Sequence, residues 1–266
     1  MSEVTTVLAA DFPPGVESFE FPSLFSGLEG TPWAAAFTKI TLLVWIAVAV
    51  ILIFFLVAYR NPQLVPTRKQ WIAESIYGLV RDGIARDIIG PEGVRFAPYL
   101  ATLFVFILLN NFWGIFPFAQ ISPNSHIAFP IVLAVGAWLV YNAVGIRKHG
   151  FFGYIKHSCW VPGAPLYVQP ILVPIEFVSN LLLRPVTLAV RLFANMFAGH
   201  MILLVFTLGG VALFQAQSLF LKPVSLLSWG MAILMTLFEL GILILQAYVF
   251  TLLTATYVQG SLAEEH

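Results

Sequence analysis

The chain has 266 residues, of which 59% are hydrophobic and 10% charged, with 13 Lys and Arg balanced by 13 Asp and Glu. Soluble domains are about 25% charged, so most of this chain is built for a bilayer, and a net charge of zero argues against a nucleic-acid-binding surface. Its single cysteine, Cys159, excludes an internal disulfide framework, and its five scattered histidines form no His-x-x-x-His pair, so neither metal nor cofactor is expected.

The N-terminal stretch "MSEVTTVLAADFPPGVESFEFPSLFSGLEG" lacks the basic start and apolar core of a signal peptide. Five acidic residues and no Lys or Arg occur before Lys39. We read residues 1–38 as a non-cytoplasmic segment and 39–266 as the membrane domain. The first span is expected at 40–59, about 20 residues, enough to cross ~30 Å of hydrocarbon. The basic segment after it carries Trp71, Ile72, Ile76, Leu79, Val80 and Ile84 at helical spacing, which predicts an amphipathic helix at the cytoplasmic interface. An ordinary solvated linker helix has the same pattern.

A second span is expected at 96–118, interrupted by Asn110, Asn111 and Gly114, and a third at 127–146, ending in the basic "RKHGFFGYIKH". The positive-inside rule then places the N-terminus and the 119–126 loop outside, and the 60–95 and 147–165 loops inside. Two apolar segments of about 40 residues, 170–213 and 221–262, follow, separated by "QAQ". Each would make ~60 Å of helix, twice the hydrocarbon thickness. With no polar turn dividing either, they predict a hairpin of two long tilted helices. The fold expected is thus an all-α polytopic membrane protein with about five crossings and a cytoplasmic C-terminus.

The first long segment contains Arg191 in its middle. Placing that side chain at the centre of a bilayer costs ~2.5–3.5 kcal/mol on insertion scales, so something must offset it. At 100° per residue, Arg184, Thr187, Arg191, Asn195 and Ala198 share one polar, small-residue stripe, with Ala194 beside it. His200, nine residues on from Arg191, points to the opposite face, and Glu176 lies about four turns before Arg191. On the second long segment Glu239 and Gln246 share one face, extended by Ser228 and Tyr257. An antiparallel hairpin would bring His200 and Glu239 to similar depth, around a wet cavity. Arg191 is a permanent cation, whereas His200 and Glu239 can titrate. That combination suits proton traffic better than substrate binding. Taken singly, Asn195 and Gln246 also fit interhelical hydrogen bonding, Arg184 a snorkelling side chain, and Glu176 a surface carboxylate.

The strings "RPVTLAVRLFANMFAGH" and "FELGILILQAYVF", with "NNFWGIFP" and "PIEFVSNLLLRPV", closely resemble subunit a of bacterial F-type ATP synthases over nearly the whole chain. The resemblance implies a proton-translocating stator subunit without a catalytic site of its own, in the bacterial plasma membrane. Its partners would be a rotating ring of c subunits, each with one buried carboxylate, and the b subunits of the peripheral stalk. Arg191 matches the family's essential arginine. Asn195 and Gln246 match polar residues of the proton entrance, and Glu176, Ser179 and Asn180 match the cytoplasmic exit. His200 and Glu239 occupy positions held by Glu and His in some members, so this chain carries the exchanged pair. Many relatives have Gly at the position of Ala194. A self-contained proton channel or proton-coupled transporter is the alternative reading, and it needs a continuous pore or an internal partner for Arg191.

Overall fold

A computed structural model of the chain describes residues 38–116, 119–159, 167–216 and 218–263. The described elements are all helical: α1 (Lys39–Ala58), α2 (Arg68–Val80), α3 (Ala97–Phe112), α4 (Ala128–His149), α5 (Phe151–Cys159), α6 (Gln169–Val178), α7 (Arg184–Gln215) and α8 (Lys222–Leu262). A π turn over Arg81–Ile89 prolongs α2, and another over Ser179–Leu183 joins α6 to α7 without a break. Among the described residues, five stretches are long and apolar enough to cross a membrane: Lys39–Ala58, Pro91–Phe112, Ala128–His149, Gln169–Gln215 and Leu219–Leu262. The chain is an all-α polytopic membrane protein.

Local chemistry sets the boundaries. Thr38 and Thr41 form a reciprocal capping box that starts α1, and Thr67 caps α2 through the Gln70 N–H. Gly150, at φ +71°, ends α4 in a conformation that side-chain-bearing residues avoid. Pro98, Pro185 and Pro223 sit in the first turns of α3, α7 and α8, where a missing N–H is tolerated. Pro185 has a further effect because α7 continues α6. It offers no N–H to the Leu181 carbonyl and its ring crowds that oxygen, so the helix widens just before it. The Arg184 N–H consequently reaches back five residues, to the Ser179 carbonyl.

The two long helices, 47 and 44 residues over Gln169–Gln215 and Leu219–Leu262, would extend ~65–70 Å. Against ~30 Å of hydrocarbon they must run steeply inclined or lie partly at the interface. They pack antiparallel, and bonds recur along the seam: Ser225 Oγ donates to the Gly210 carbonyl at 2.8 Å and Ser228 Oγ to that of Phe206 at 2.7 Å. The core joins the π-helical end of α2 to α3, α4, α7 and α8 through Val80, Ile84, Leu100, Ile107, Leu192 and Phe250. Alanines 85, 97, 101, 134, 137, 189, 247 and 255 fill the remaining contacts, the small-residue packing that lets membrane helices approach closely. Outside that core, Trp45 and Leu56 are each 70% exposed, which suits lipid rather than water.

Several expectations are corrected. The second span ends at Phe112, six residues short of the expected 118, because Trp113–Phe116 turn, and residues 117–118 lie outside the described residues. The α2 region buries Ala73, Val80, Ile84 and Ala85, with Ile76 and Tyr77 packed against the core. Trp71, Ile72 and Leu79, expected on the same face as Val80, are exposed. Ile76, Val80 and Ile84 of the expected face do pack inward, so hydrophobicity marks half of it, and alanines complete the buried side. The basic loop after α4 holds a helix, α5, that was not anticipated. The 1–38 segment, apart from Thr38, and the final residues Glu264–His266 lie outside the described residues.

Candidate functional site

The hairpin of α7 and α8 separates two chemistries on opposite faces of α7. Leu188, Ala189, Leu192, Met196 and His200 turn inward and are buried. Thr187, Arg191, Ala194, Asn195 and Ala198 are exposed, at helical spacing. Arg191 lies near the middle of the 47-residue stretch and makes no hydrogen bond or ion pair with any of the described residues. Its guanidinium faces out of the fold at a depth where an unpaired charge is costly. Thr187 Oγ1 is turned back onto the Arg184 carbonyl at 3.0 Å, and the half-buried Arg184 lies over the Tyr257 ring, 5.1 Å from its centroid.

One turn beyond Arg191 the two faces are linked. Asn195 Nδ2 donates to Gln246 Oε1 at 2.6 Å, while Gln246 itself is 3% exposed and its Nε2 is left without a partner. Further along, His200 Nδ1 stands 2.6 Å from Glu239 Oε1. Both side chains are almost wholly enclosed, and neither carboxylate oxygen receives an aligned hydrogen bond, so the contact is short but off line. The pair was expected to face a wet cavity, but it is in direct contact. Two glycines permit this: a methyl on Gly114 would overlap His200 Cε1, and one on Gly199 would press on Glu239 Oε1.

The rest of this pocket comes from residues the sequence reading passed over. The Ser122–Ser125 turn folds inward rather than standing in solvent, with Ser122, Asn124 and Ser125 all buried. Asn124 Nδ2 donates to Asn111 Oδ1 at 2.7 Å, Ser122 Oγ to the Asn110 carbonyl at 3.1 Å, and the Ser122 backbone N–H to His200 Nε2 at 3.2 Å. Asn111 Nδ2 also reaches the Leu243 carbonyl at 3.5 Å. The signal was present, since paired amides in an apolar span are costly unless satisfied, but they read as an interruption of the helix.

At the other end of the long helix the π turn assembles a second polar group. Asn180 Nδ2 donates to the Ser158 carbonyl at 2.5 Å and lies 3.4 Å from Glu176 Oε2, while Tyr141 Oη donates to the Asn180 carbonyl at 3.1 Å. Asn180 Oδ1 is buried without a partner, beside a cavity of about 50 Å³ lined by Asn142, Tyr154, Ser158 and Cys159. Burial, and then the Glu176 carboxylate, push the Cys159 thiol upward in pKa. Ser179 contributes its carbonyl to the π bond from Arg184. The ten expected residues thus divide into an outward stripe with the Asn195–Gln246 bridge, an enclosed His–Glu pair, and a cluster at the π turn. Tyr141 and Ser158 join the last without having been foreseen.

The family description of the ATP synthase A chain matches residues 41–259. The chain is 44% identical to "ATP synthase subunit a" of Nocardioides sp., over 96% of this chain and 94% of that one. It is 43% identical to the protein of the same name from Rhodococcus erythropolis, over 99% and 95%, and 50% identical to that of Parafrankia sp., over 79% and 70%. The chain belongs to the ATP synthase A chain family. The matched region runs from the start of α1 to near the end of α8, so all three polar groups fall within it.

Proposed function

We propose that the chain is the proton-translocating a subunit of a bacterial F-type ATP synthase, held static in the plasma membrane by the b subunits of the peripheral stalk against a rotating c ring. The observation that carries this is Arg191: a permanent cation near the middle of a membrane-length helix, facing outward, with no counter-charge among the described residues. Its offset must come from another chain. A ring carboxylate arriving ionised supplies it, and one that has taken up a proton leaves into lipid as a neutral group.

On this reading Glu239, His200, Asn195 and Gln246 serve the entrance half-channel, and Glu176, Ser179 and Asn180 serve the exit, with Arg184 and Thr187 along the ring-facing stripe. The fixed charge of Arg191 stands between the two and prevents direct leakage. The driving force is ~2.3 kcal/mol per charge per 100 mV, together with the pH difference. The N-terminus is outside and the C-terminus cytoplasmic, from the distribution of Lys and Arg. The test is reconstitution in liposomes: the chain alone should not conduct protons, and the intact complex should couple their flow to ATP synthesis. Proton conduction by the chain alone would instead identify a self-contained channel or transporter.

A further inference from the structure

Three cations gather where the ends of three spans meet. A 3-10 turn over Pro91–Phe96 leads into α3, while α4 ends at His149 and α8 at Leu262. These ends enclose a cavity of about 470 Å³, with Arg95 on one wall and Arg147 and Lys148 on the other. α3 and α4 both pack on α8 with little contact between them, which leaves a cleft between their ends. The Arg95 wall is held in place, because a methyl on Gly93 would overlap the Ala85 carbonyl of the π turn after α2.

The cations are only partly engaged. Lys148 Nζ donates to the Leu262 carbonyl at 2.7 Å, which ties the end of α4 to that of α8. Arg95 lies 4.8 Å from the Phe96 ring centroid, and its Nη2 is 3.5 Å from Glu92 Oε2, a long and exposed pair of little strength. Arg147 is exposed and makes no hydrogen bond or ion pair with any of the described residues. A helix C-terminus favours cations, which accounts for Arg147 and Lys148. It does not account for Arg95, at the N-terminal end of its span, where the dipole opposes a positive charge. Three cations against one carboxylate, Glu92, leave the cleft a net charge of +2.

The apolar wall decides which anion fits. α4 runs toward its basic end, so Val144, one turn before Arg147, lies ~4.5 Å deeper in the bilayer. Phe96 follows Arg95 toward the hydrocarbon. Charge at the rim above an apolar surface is the polarity of a phospholipid standing in a leaflet, whereas a soluble anion has no use for the lower wall. We propose that this cleft binds one anionic phospholipid, its headgroup phosphate between Arg95 and Arg147 and its acyl chains along Phe96 and Val144. Guanidinium forks suit phosphate oxygens, and basic pockets between membrane helices on the cytoplasmic side take lipid headgroups. The lipid bridges α3 and α4, which otherwise touch little. The assignment rests on the chain's place in a membrane and the cytoplasmic side of this end, not on proton movement, so its failure leaves the ATP synthase reading intact.

The test uses the whole complex in vesicles of phosphatidylcholine with phosphatidylglycerol as the minority lipid. A trace of phosphatidylglycerol carrying a diazirine high on one acyl chain is photolysed, and the labelled peptides are identified by mass spectrometry. Labelling at residues 96–99 or 140–144 is expected, and at least ~10-fold less with the phosphatidylcholine analogue. Arg95→Gln with Arg147→Gln should lower the labelling about tenfold, the scale of two charged contacts at a solvated rim. Arg95→Lys with Arg147→Lys keeps the charge and should retain most of it. Arg60→Gln with Arg68→Gln removes two exposed cations from the same side of the membrane and should change nothing. Equal losses in the two glutamine pairs would show only a general attraction of anionic lipid to a basic surface, and would overturn the proposal. No labelling of those segments in the parent overturns it as well. So does labelling abolished by millimolar inorganic phosphate, which marks a site for a soluble anion. Labelling that appears only once Glu264–His266 are removed makes the acidic tail the occupant, and has the same effect.

Discussion

Asn195 and Gln246 meet across the hairpin, the Nδ2 of the first donating to the Oε1 of the second at 2.6 Å. Asn195 lies on the exposed stripe with Arg191, and Gln246 lies in the enclosed interior beside the face of Glu239. This bond ties the exposed stripe of α7 to the enclosed face of α8. Replacing Gln246 by Leu strands the Asn195 amide, and replacing Asn195 by Leu leaves Gln246 buried without any partner. Each should slow ATP-driven pumping. The double variant should lose less than the product of the two, with a coupling of ~1 kcal/mol in a double-mutant cycle. Strictly multiplicative losses would mean that the contact carries no functional weight.

Arg191→Ala and Arg191→Lys should both abolish ATP-driven pumping while the complex still assembles. Lysine keeps a charge but not the planar fork or the very high pKa of guanidinium. Assembly is checked by co-purification of the remaining subunits, and pumping by quenching of a pH-sensitive dye in inverted vesicles. Normal pumping by either variant would remove the basis of the proposed function.

Exchanging the buried pair, His200→Glu with Glu239→His, keeps one acid and one hydrogen-bonding base in the pocket. The carboxylate at position 200 can take over acceptance of the Ser122 N–H. The exchanged chain should therefore transport better than the more damaged of the two single variants, measured from pH 6 to 9. Additive losses would show two independent side chains and no coupling between them.

Topology can be read with an impermeant thiol reagent in a Cys159→Ser background. A cysteine at Gln120, an exposed residue in the turn after α3, should react from outside intact cells. One at Gln63, exposed between α1 and α2, should react only in inverted vesicles. Asn124, in the same expected outside loop, would not serve as a probe because it is 1% exposed and bonded to Asn111. Labelling of positions 63 and 120 from the same side would overturn the assigned orientation.

The Cys159 thiol offers a check on the group at the π turn. Burial first, and the Glu176 carboxylate second, raise its pKa. A nearby negative charge disfavours the thiolate, so Glu176→Gln should lower that pKa and speed alkylation at a fixed pH near 8. Burial remains, so the thiol should stay slower than an exposed cysteine. An unchanged alkylation rate would show that the carboxylate does not act on Cys159.

The spans and the hairpin were legible because apolar length is written directly in the sequence, and α1 was placed within one residue at each end. Arg191, His200, Glu239 and Gln246 stood out for the converse reason: polar side chains in apolar runs. What escaped was whatever depends on contact between distant segments. Nothing local tells that Ser122 and Asn124 tuck under His200, that Asn111 reaches Leu243, or that Tyr141 bonds the Asn180 carbonyl. The α2 face was legible in part: Ile76, Val80 and Ile84 pack inward, whereas Trp71, Ile72 and Leu79 do not, because alanines fill the rest of the protein side. The π turn at Ser179–Leu183 was missed because Pro185 was read only as part of an apolar run.

That turn also bears on which changes in chain length the protein can absorb. The widened turn takes up one residue more than an α-helical turn, so the helix before Ser179 and the helix after Leu183 keep the register of one continuous helix. Deleting Leu181 or Leu182 and closing the turn to a regular helix would therefore leave α6 and α7 in nearly their present register, although Pro185 would still crowd the carbonyl four residues before it. A single-residue deletion in the regular helix between Arg184 and Arg191 has no such slack, and it would rotate everything before it by ~100° and draw it ~1.5 Å toward Arg191. Single-residue gaps are therefore absorbed far better within the widened turn than beyond it, and the spacing between Arg184 and Arg191 acts as a fixed dimension of the protein, as much as any residue within it.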